Sequence, residues 1–345
     1  IGSGSFGQIG NGIFGIDASV SSFYKIRNIP KCKWVSCGFA FTSCITTEGE
    51  LYSWGAGENG RLGNNDTIDI KIPTKIQTGF KAKKIYSGSV HACAISESME
   101  IYSWGFSKYN GHNQKEHILK PKKIKILEGI YFHMLSIGPG GYHTMALSLS
   151  GKVFLWGHNR VGQLGFKSEK EYHSESLNDF EDDSDDNMYY QKEPKIVNDL
   201  SNILVKSVSA GWGHSAILSI DGNIYMCGRN FRGQIGKSLN DCEINSRGHP
   251  YSPKFELLTN INEKIEKVVC GGEHTAAITK EGRLYLWGDD FNGQLGHKKK
   301  VAEVYIDISK YYKVKPKLIE GEPCIGIVKD IILGSTITFF INIKN

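Results

Sequence analysis

A chain of 345 residues, 40% hydrophobic and 22% charged, can bury a sizeable core, and no uninterrupted apolar stretch reaches membrane-spanning length. The net charge of +5 is unevenly spread: residues 169–187 hold nine acids against one base, so the remainder carries +13. The eight cysteines lack metal-ligand spacing, and Cys37, Cys93, Cys227 and Cys270, in predicted strands, read as buried free thiols of a reducing compartment, cytoplasm or nucleus.

In chain order, one spacing recurs. Gly2, Gly7 and Gly10 open the chain. Phe41 is followed by Gly49, Gly55, Gly60 and Gly63 at steps that every later copy repeats. His91 leads to Met99, Gly105, Asn110 and Asn113, a degraded copy in which Asn stands where positive φ is expected. His143 leads to Gly151, Gly157, Gly162 and Gly165; His214 to Gly222, Gly228, Gly233 and Gly236; His274 to Gly282, Gly288, Gly293 and Gly296. Ile337 takes the His position of a sixth copy split across the termini. The intervals from Gly2 through Gly55, Gly105, Gly157 and Gly228 to Gly288 are 53, 50, 52, 71 and 60 residues, so no seventh copy is hidden.

Each copy predicts four short strands. The first is an apolar run such as Ile265 to Cys270. The second begins at the His, and a Glu-Gly or Asp-Gly hairpin turn (Glu281-Gly282, Asp221-Gly222) leads to the third, which ends in Trp54, Trp104, Trp156 or Trp287. The fourth is expected to open with Pro73, Pro121, Pro194, Pro253 or Pro316. The fold class is therefore all-β: a β-propeller of four-stranded blades, one domain over residues 1–345, closed into a ring by its two termini.

The Gly-x-x-His element and the aromatic-Trp-Gly element with its Gly-Gln-Leu-Gly tail (Gly162 to Gly165, Gly293 to Gly296) resemble the regulator of chromosome condensation repeat family over nearly the whole chain. The resemblance implies a propeller, usually of seven blades, where this sequence supplies six. The missing initiator Met favours a segment of a longer protein. The resemblance also implies non-enzymatic work: protein binding, or guanine-nucleotide exchange on a Ran-type small GTPase with chromatin association.

The acidic stretch, within an insertion of about residues 166–193, reads as a mobile solvated loop or an arm for a basic partner. Asp183, Asp185 and Asn187 mimic a calcium loop, but Met188 stands where the loop needs Gly, so no metal is expected. The segments Gly165 to Pro194, Gly236 to Pro253 and Gly296 to Pro316 are lengthened on three consecutive copies, and all start from one rim. That rim is the expected partner surface. Its candidate contacts are Arg160, Trp212, Arg229, Phe231, Arg232, Arg247, Asp289, Asp290, Phe291 and Lys298, joined by Asn230 and His249.

His91, His143, His214 and His274 recur once per copy, so they read as structural groups bonding the backbone of the adjacent strand, not as a metal or catalytic cluster. The strand-three Trp residues read as packing between blades. Several Trp at the position of Trp212 form the chromophore in a plant light-receptor branch of the family; here Trp212 stands alone, which speaks against light sensing. No nucleophile–base set, Walker loop, dinucleotide fingerprint or zinc motif is present, and no catalytic residue or cofactor is expected. The expected activity is that of a monomeric, non-catalytic platform for a protein partner. Nucleotide exchange is the alternative, and a weaker third reading is nucleic-acid or chromatin binding by the basic body.

Overall fold

Glycine at the turns and alternating apolar residues between them fold each copy into an antiparallel sheet. The computed structural model describes residues 2–167, 189–245, 248–296, 312–319 and 327–343. The first sheet is β1 (Cys32–Cys37), β2 (Phe41–Thr46), β3 (Leu51–Gly55) and β4 (Ile70–Lys75); the second is β5 (Ala82–Ser87), β6 (His91–Ser96), β7 (Ile101–Gly105) and β8 (Ile118–Lys123). The third is β9 (Phe132–Ile137), β10 (His143–Ser148), β11 (Val153–His158) and β12 (Tyr190–Ile196). The fourth comprises β13 (Val205–Ala210), β14 (His214–Ser219), β15 (Ile224–Arg229), β16 (Glu243–Ile244) and β17 (Pro250–Leu257), where the lengthened segment before Pro253 contributes the extra edge strand β16. The fifth is β18 (Ile265–Cys270), β19 (His274–Thr279), β20 (Leu284–Asp289) and β21 (Tyr312–Leu318), and the sixth is β22 (Ile327–Leu333) with β23 (Thr338–Ile343). Residues 168–188 of the acidic insertion, with Asp183, Asp185 and Asn187, lie outside the described residues.

The chain divides into two compact units, residues 1–157 with 191–196 and residues 158–190 with 197–345. In each unit the core lies between successive sheets. In the first, Phe41, Leu51, Leu62, Ile85 and Trp104 fill one interlayer, and Ile95, Phe132, Leu135 and Trp156 fill the next. In the second, Leu218, Met226, Ile235, Val268 and Trp287 pack together, followed by Ile278, Leu284, Leu286, Leu295 and Ile331. No sheet buries both faces by itself, so each depends on its neighbour.

Three local expectations are corrected. The strand-four prolines do not open their strands. Pro73, Pro121, Pro253 and Pro316 fall inside β4, β8, β17 and β21, where the ladder with strand three skips residues, for example between Gly228↔Ser252 and Met226↔Glu256. A bulge on an outer strand needs no donor at that residue, which is what proline lacks. Asn110 does not take positive φ. Gly111 (φ 83°) and Asn113 (φ 49°) do, because the tail of this copy is rearranged around the Phe106 carbonyl, which accepts from the Tyr109 and Asn110 amides. Cys37 is exposed, as is Cys32, because β1 is open along most of its length; Cys93, Cys227 and Cys270 are buried, and burial raises all three thiols, Cys93 and Cys270 to about 12.

Candidate functional site

The sheets are joined by a repeated clasp. In the Gly-Gln-Leu-Gly tail the Gln side chain turns back to accept the amide two residues earlier, as Gln234 Oε1 does from Arg232 at 2.8 Å and Gln294 Oε1 from Asn292 at 2.8 Å. This fixes the tail and points the Gln backbone carbonyl at the next sheet. There it accepts two groups: the Gln234 carbonyl takes the Thr275 hydroxyl at 2.8 Å and the Trp287 indole N–H at 3.0 Å. The Gln8 carbonyl does the same for Thr42 and Trp54, both at 2.9 Å. Cys227, at the Trp position, approaches the Gln163 carbonyl at 3.6 Å beside the Ser215 hydroxyl at 2.7 Å.

Three of the repeat histidines complete this clasp through a threonine hydroxyl of the next sheet, and His214 also has a backbone hydrogen bond with His274. His91 Nε2 lies 2.9 Å from Thr144 Oγ1, His214 Nε2 3.0 Å from Thr275 Oγ1, and His274 Nε2 3.1 Å from Thr338 Oγ1. Since Thr275 and Thr338 give their protons to the Gln234 and Gln294 carbonyls, His214 and His274 must donate from Nε2. Burial keeps the imidazoles neutral, with pKa pushed down to about 3 at His91 and His214 and about 4 at His274. The glycine three residues before each ring leaves room for it: a Cβ on Gly211 or Gly271 would run into His214 or His274. His143 is likewise buried. The four histidines occupy separate sheets, and among the described residues no three His, Cys, Asp or Glu side chains gather as a metal site.

Antiparallel order brings the Gly-x-x-His loop and the strand-three exit loop to the same end of each sheet. In the second unit these loops meet between the fourth and fifth sheets. Arg229, at the end of β15, donates from Nη1 to Glu273 Oε1 at 3.1 Å; Arg232 Nε lies 3.9 Å from both Glu273 Oε2 and Asp289 Oδ1. Asp289 is 7% exposed, and burial raises its carboxyl above the ordinary value against the hydrogen bond from Gln294 Nε2 at 2.5 Å. The Arg232 guanidinium carbon stands 5.0 Å from the Phe231 ring centroid, and that ring packs on His249 at 4.7 Å. Phe231 is 37% exposed and Phe291 67% exposed. The result is two aromatic side chains open to solvent above a nearly neutral, internally paired charge network.

The remaining candidates divide. Arg160 sits with its guanidinium 5.4 Å from the Tyr189 ring, and the half-buried Trp212 donates its backbone N–H to the Gly272 carbonyl at 3.1 Å. Asp290 and Asn230 are corrected from surface to interior: both are at most 1% exposed and accept the amides of Leu295 and Ile235, closing the tails. A short carboxylate or amide five residues before an amide in a tight loop is a local cap first. Arg247 and Lys298 lie outside the described residues. Glu273 is the contact the sequence reading missed. It occupies the Gly-x-x-His slot where Val90, Tyr142 and Gly213 stand in other copies, so its being the one acid there was the available signal.

The arrangement offers ion-pair forks and aromatic faces on loops at one end of these two sheets. No helix among the described residues is long and apolar enough to cross a membrane. The chain is 31% identical over 303 residues to the ultraviolet-B receptor UVR8 of Arabidopsis thaliana, covering 85% of this chain and 61% of that protein. It is 30% identical over 281 residues to the E3 ubiquitin-protein ligase HERC2 of Homo sapiens, covering 79% of this chain and 5% of that protein. It thus spans less than two thirds of these curated relatives. Human WBSCR16 superposes with a TM-score of 0.71 at 19% identity, covering 98% of this chain and 78% of that one. Prp20p of Saccharomyces cerevisiae, whose structure was described with its binding properties to Gsp1p and histones, gives 0.57 at 20% identity, covering 96% and 88%. These likenesses establish the fold as that of the β-propellers. Residues 2–340 match the RCC1-like domain, and the chain belongs to that family.

Proposed function

We propose that this chain is a non-catalytic protein-interaction platform whose working surface is the loop-bearing end of the fourth and fifth sheets in the second unit. The observation that carries this reading is the pair Phe231 and Phe291, exposed on loops that are held by the Arg229–Glu273 ion pair and the capped tails. Aromatic residues beside arginine on a pre-organised scaffold are the composition of binding hot spots. Trp212 and Arg160 extend the surface. Small GTPases of the Ran type and histones are the first partner classes to test, because Prp20p shares the fold. The triple variant Arg229→Ala, Phe231→Ala, Arg232→Ala is expected to lose capture of its partner at least about tenfold while remaining folded, with thermal stability lowered because Glu273 and the buried Asp289 lose their cations. Unchanged capture by the folded triple variant overturns the surface assignment.

The likeness to Prp20p also favours a second reading, nucleotide exchange. An exchange factor needs no acid–base pair; it binds the nucleotide-free state more tightly than the loaded one. Stopped-flow release of a fluorescent guanine nucleotide from a Ran-type GTPase tests this. Acceleration at micromolar chain supports exchange; none confines the protein to binding.

A further inference from the structure

The hairpin between strands two and three closes a sheet at the end away from its Gly-x-x-His loop, and one backbone hydrogen bond recurs there. The turn residue donates its amide to the residue just before strand one: Thr47 to Lys31 at 2.8 Å, Glu97 to Lys81 at 2.9 Å, Leu149 to Tyr131 at 2.8 Å, Ile220 to Leu204 at 2.9 Å and Lys280 to Lys264 at 3.0 Å. All ten side chains are exposed, so exposure is a property of the position and not of any one sheet. In the first, second and fifth sheets the pair is polar or charged. The third sheet instead places Tyr131, 53% exposed, with Leu149, 59% exposed, and the fourth places Leu204 with Ile220. Burial does not account for apolar residues at these positions, and exposed apolar clusters mark interaction sites.

In the first unit the Tyr131–Leu149 pair has company. β8 finishes at the same end of the second sheet, and the turn after it, Lys125–Leu127, buries Leu127 and leaves Ile126 54% exposed. The Phe132 amide donates to the Met99 carbonyl at 2.8 Å, which ties the start of the third sheet to the hairpin of the second. Lysines flank the three apolar residues. Lys81 and Lys83 stand at the start of β5, with the Lys83 ammonium 3.7 Å from Met99 Sδ; Lys125 adjoins Ile126, and Lys152 lies in the Leu149 hairpin. All four are exposed, and none makes an ion pair among the described residues. The glutamates at this end are already engaged: Glu97 by Lys33 at 3.9 Å, and Glu100 and Glu128 by Lys123 at 2.7 and 3.1 Å. Residues 81–152 hold ten lysines against four glutamates, a net +6.

We infer that this end of the second and third sheets docks on an anionic lipid surface. Ile126, Tyr131 and Leu149 enter the boundary between headgroups and acyl chains, and Lys81, Lys83, Lys125 and Lys152 meet the headgroups. The apolar residues sit on turns at the end of the sheets, a shape that enters a soft interface rather than receiving a partner's side chain. Tyrosine suits that boundary because its ring is apolar and its hydroxyl wet, and lysine stems lie along apolar surface while the ammonium stays in water. A nucleic-acid backbone would use the same lysines but not the apolar tips. The contact is interfacial and needs no spanning segment. It lies on other sheets than the aromatic surface proposed above, at the end away from the loops, and is independent of that reading.

The test is co-sedimentation of the full chain with vesicles of phosphatidylcholine, alone or with about 30% phosphatidylserine. Binding is expected with the serine lipid and should weaken as salt rises. Ile126→Ala with Leu149→Ala should weaken it at least about tenfold, since each methylene withdrawn from the acyl layer costs about fourfold. Lys81→Gln and Lys83→Gln should each weaken it about fivefold. A direct readout is quenching by brominated lipid: Leu149→Trp fluorescence should be quenched, and that of Thr67→Trp, an exposed position in the loop between β3 and β4, should not. No binding to either vesicle, unchanged binding by the double alanine variant, or quenching confined to Thr67→Trp overturns the proposal. Binding to duplex DNA that the double alanine variant leaves unchanged, without vesicle binding, assigns the lysines to nucleic acid and overturns it as well.

Discussion

The fifth and sixth sheets are two copies of one repeat with opposite exposure. In β19 all six residues are buried, with Ala276 at 0% and Ile278 at 3%. At the matching positions of β23, Phe339 and Ile341 are each 58% exposed, although both are as apolar as their counterparts. The second strand of a repeat is therefore not buried by its own sequence. Its burial comes from strand three alongside and from the neighbouring sheet, and in the sixth sheet the described residues include no third strand. The His–Thr–carbonyl clasp is nevertheless made between these two sheets, so the polar contact forms independently of full apolar cover.

The largest expected effect breaks this comparison at its two aromatic residues. Trp287→Ala removes a fully buried indole and its hydrogen bond and should destabilise the second unit by about 3–5 kcal/mol. Phe339→Ala, at a 58% exposed position, should change stability by no more than about 0.5 kcal/mol. Chemical denaturation of both variants checks the contrast. A loss of several kcal/mol at Phe339 would mean that β23 is covered in solution.

How much of this was legible in the sequence follows from range. The hairpin turns were legible because a turn glycine is a local requirement, and even Met99 in the degraded copy adopts φ 65°. The Trp and His positions were legible as packing groups because they recur. Their partners were not: the Thr hydroxyl of the next sheet is 61 residues from His214, and the Gln234 carbonyl is 53 from Trp287. Backbone acceptors leave no residue signature. Asp290 and Asn230 looked like surface polar residues because capping an amide five residues on depends on the loop path, which a one-dimensional reading does not supply. Phe255 replacing the indole lost at Cys227 is a compensation between strands three and four that spacing alone does not reveal.

A second effect comes from the histidines that tie sheet to sheet. His91, His214 and His274 have folded pKa values pushed down by burial to about 3, 3 and 4, against about 6.5 in an unfolded chain. Below about pH 6.5 the unfolded state binds more protons, so stability is present above that pH and is lost as pH falls toward the folded values. The limiting slope is about 1.4 kcal/mol per pH unit for each histidine. Urea midpoints measured from about pH 7 to pH 4.5 should drop steeply, and His274→Gln should reduce the slope by one such increment. If His274→Gln leaves the slope unchanged, the imidazole between the fifth and sixth sheets is not held neutral.

The smallest effect separates two buried indoles. Trp287 donates to the Gln234 carbonyl, whereas Trp156 Nε1 is buried without a hydrogen-bond partner, because the rearranged tail around Gly111 turns no carbonyl toward it. Replacing each by Phe removes similar apolar volume, so the difference between the two variants isolates the polar part. Trp287→Phe loses a made hydrogen bond and leaves a clasp carbonyl with one partner fewer; Trp156→Phe removes an unsatisfied donor whose burial is itself unfavourable. Trp287→Phe should therefore be the more destabilising by about 1–2 kcal/mol, read from paired unfolding curves. Equal losses would show that the indole N–H contributes nothing to the clasp, leaving ring packing on the tail glycine as its whole energetic content.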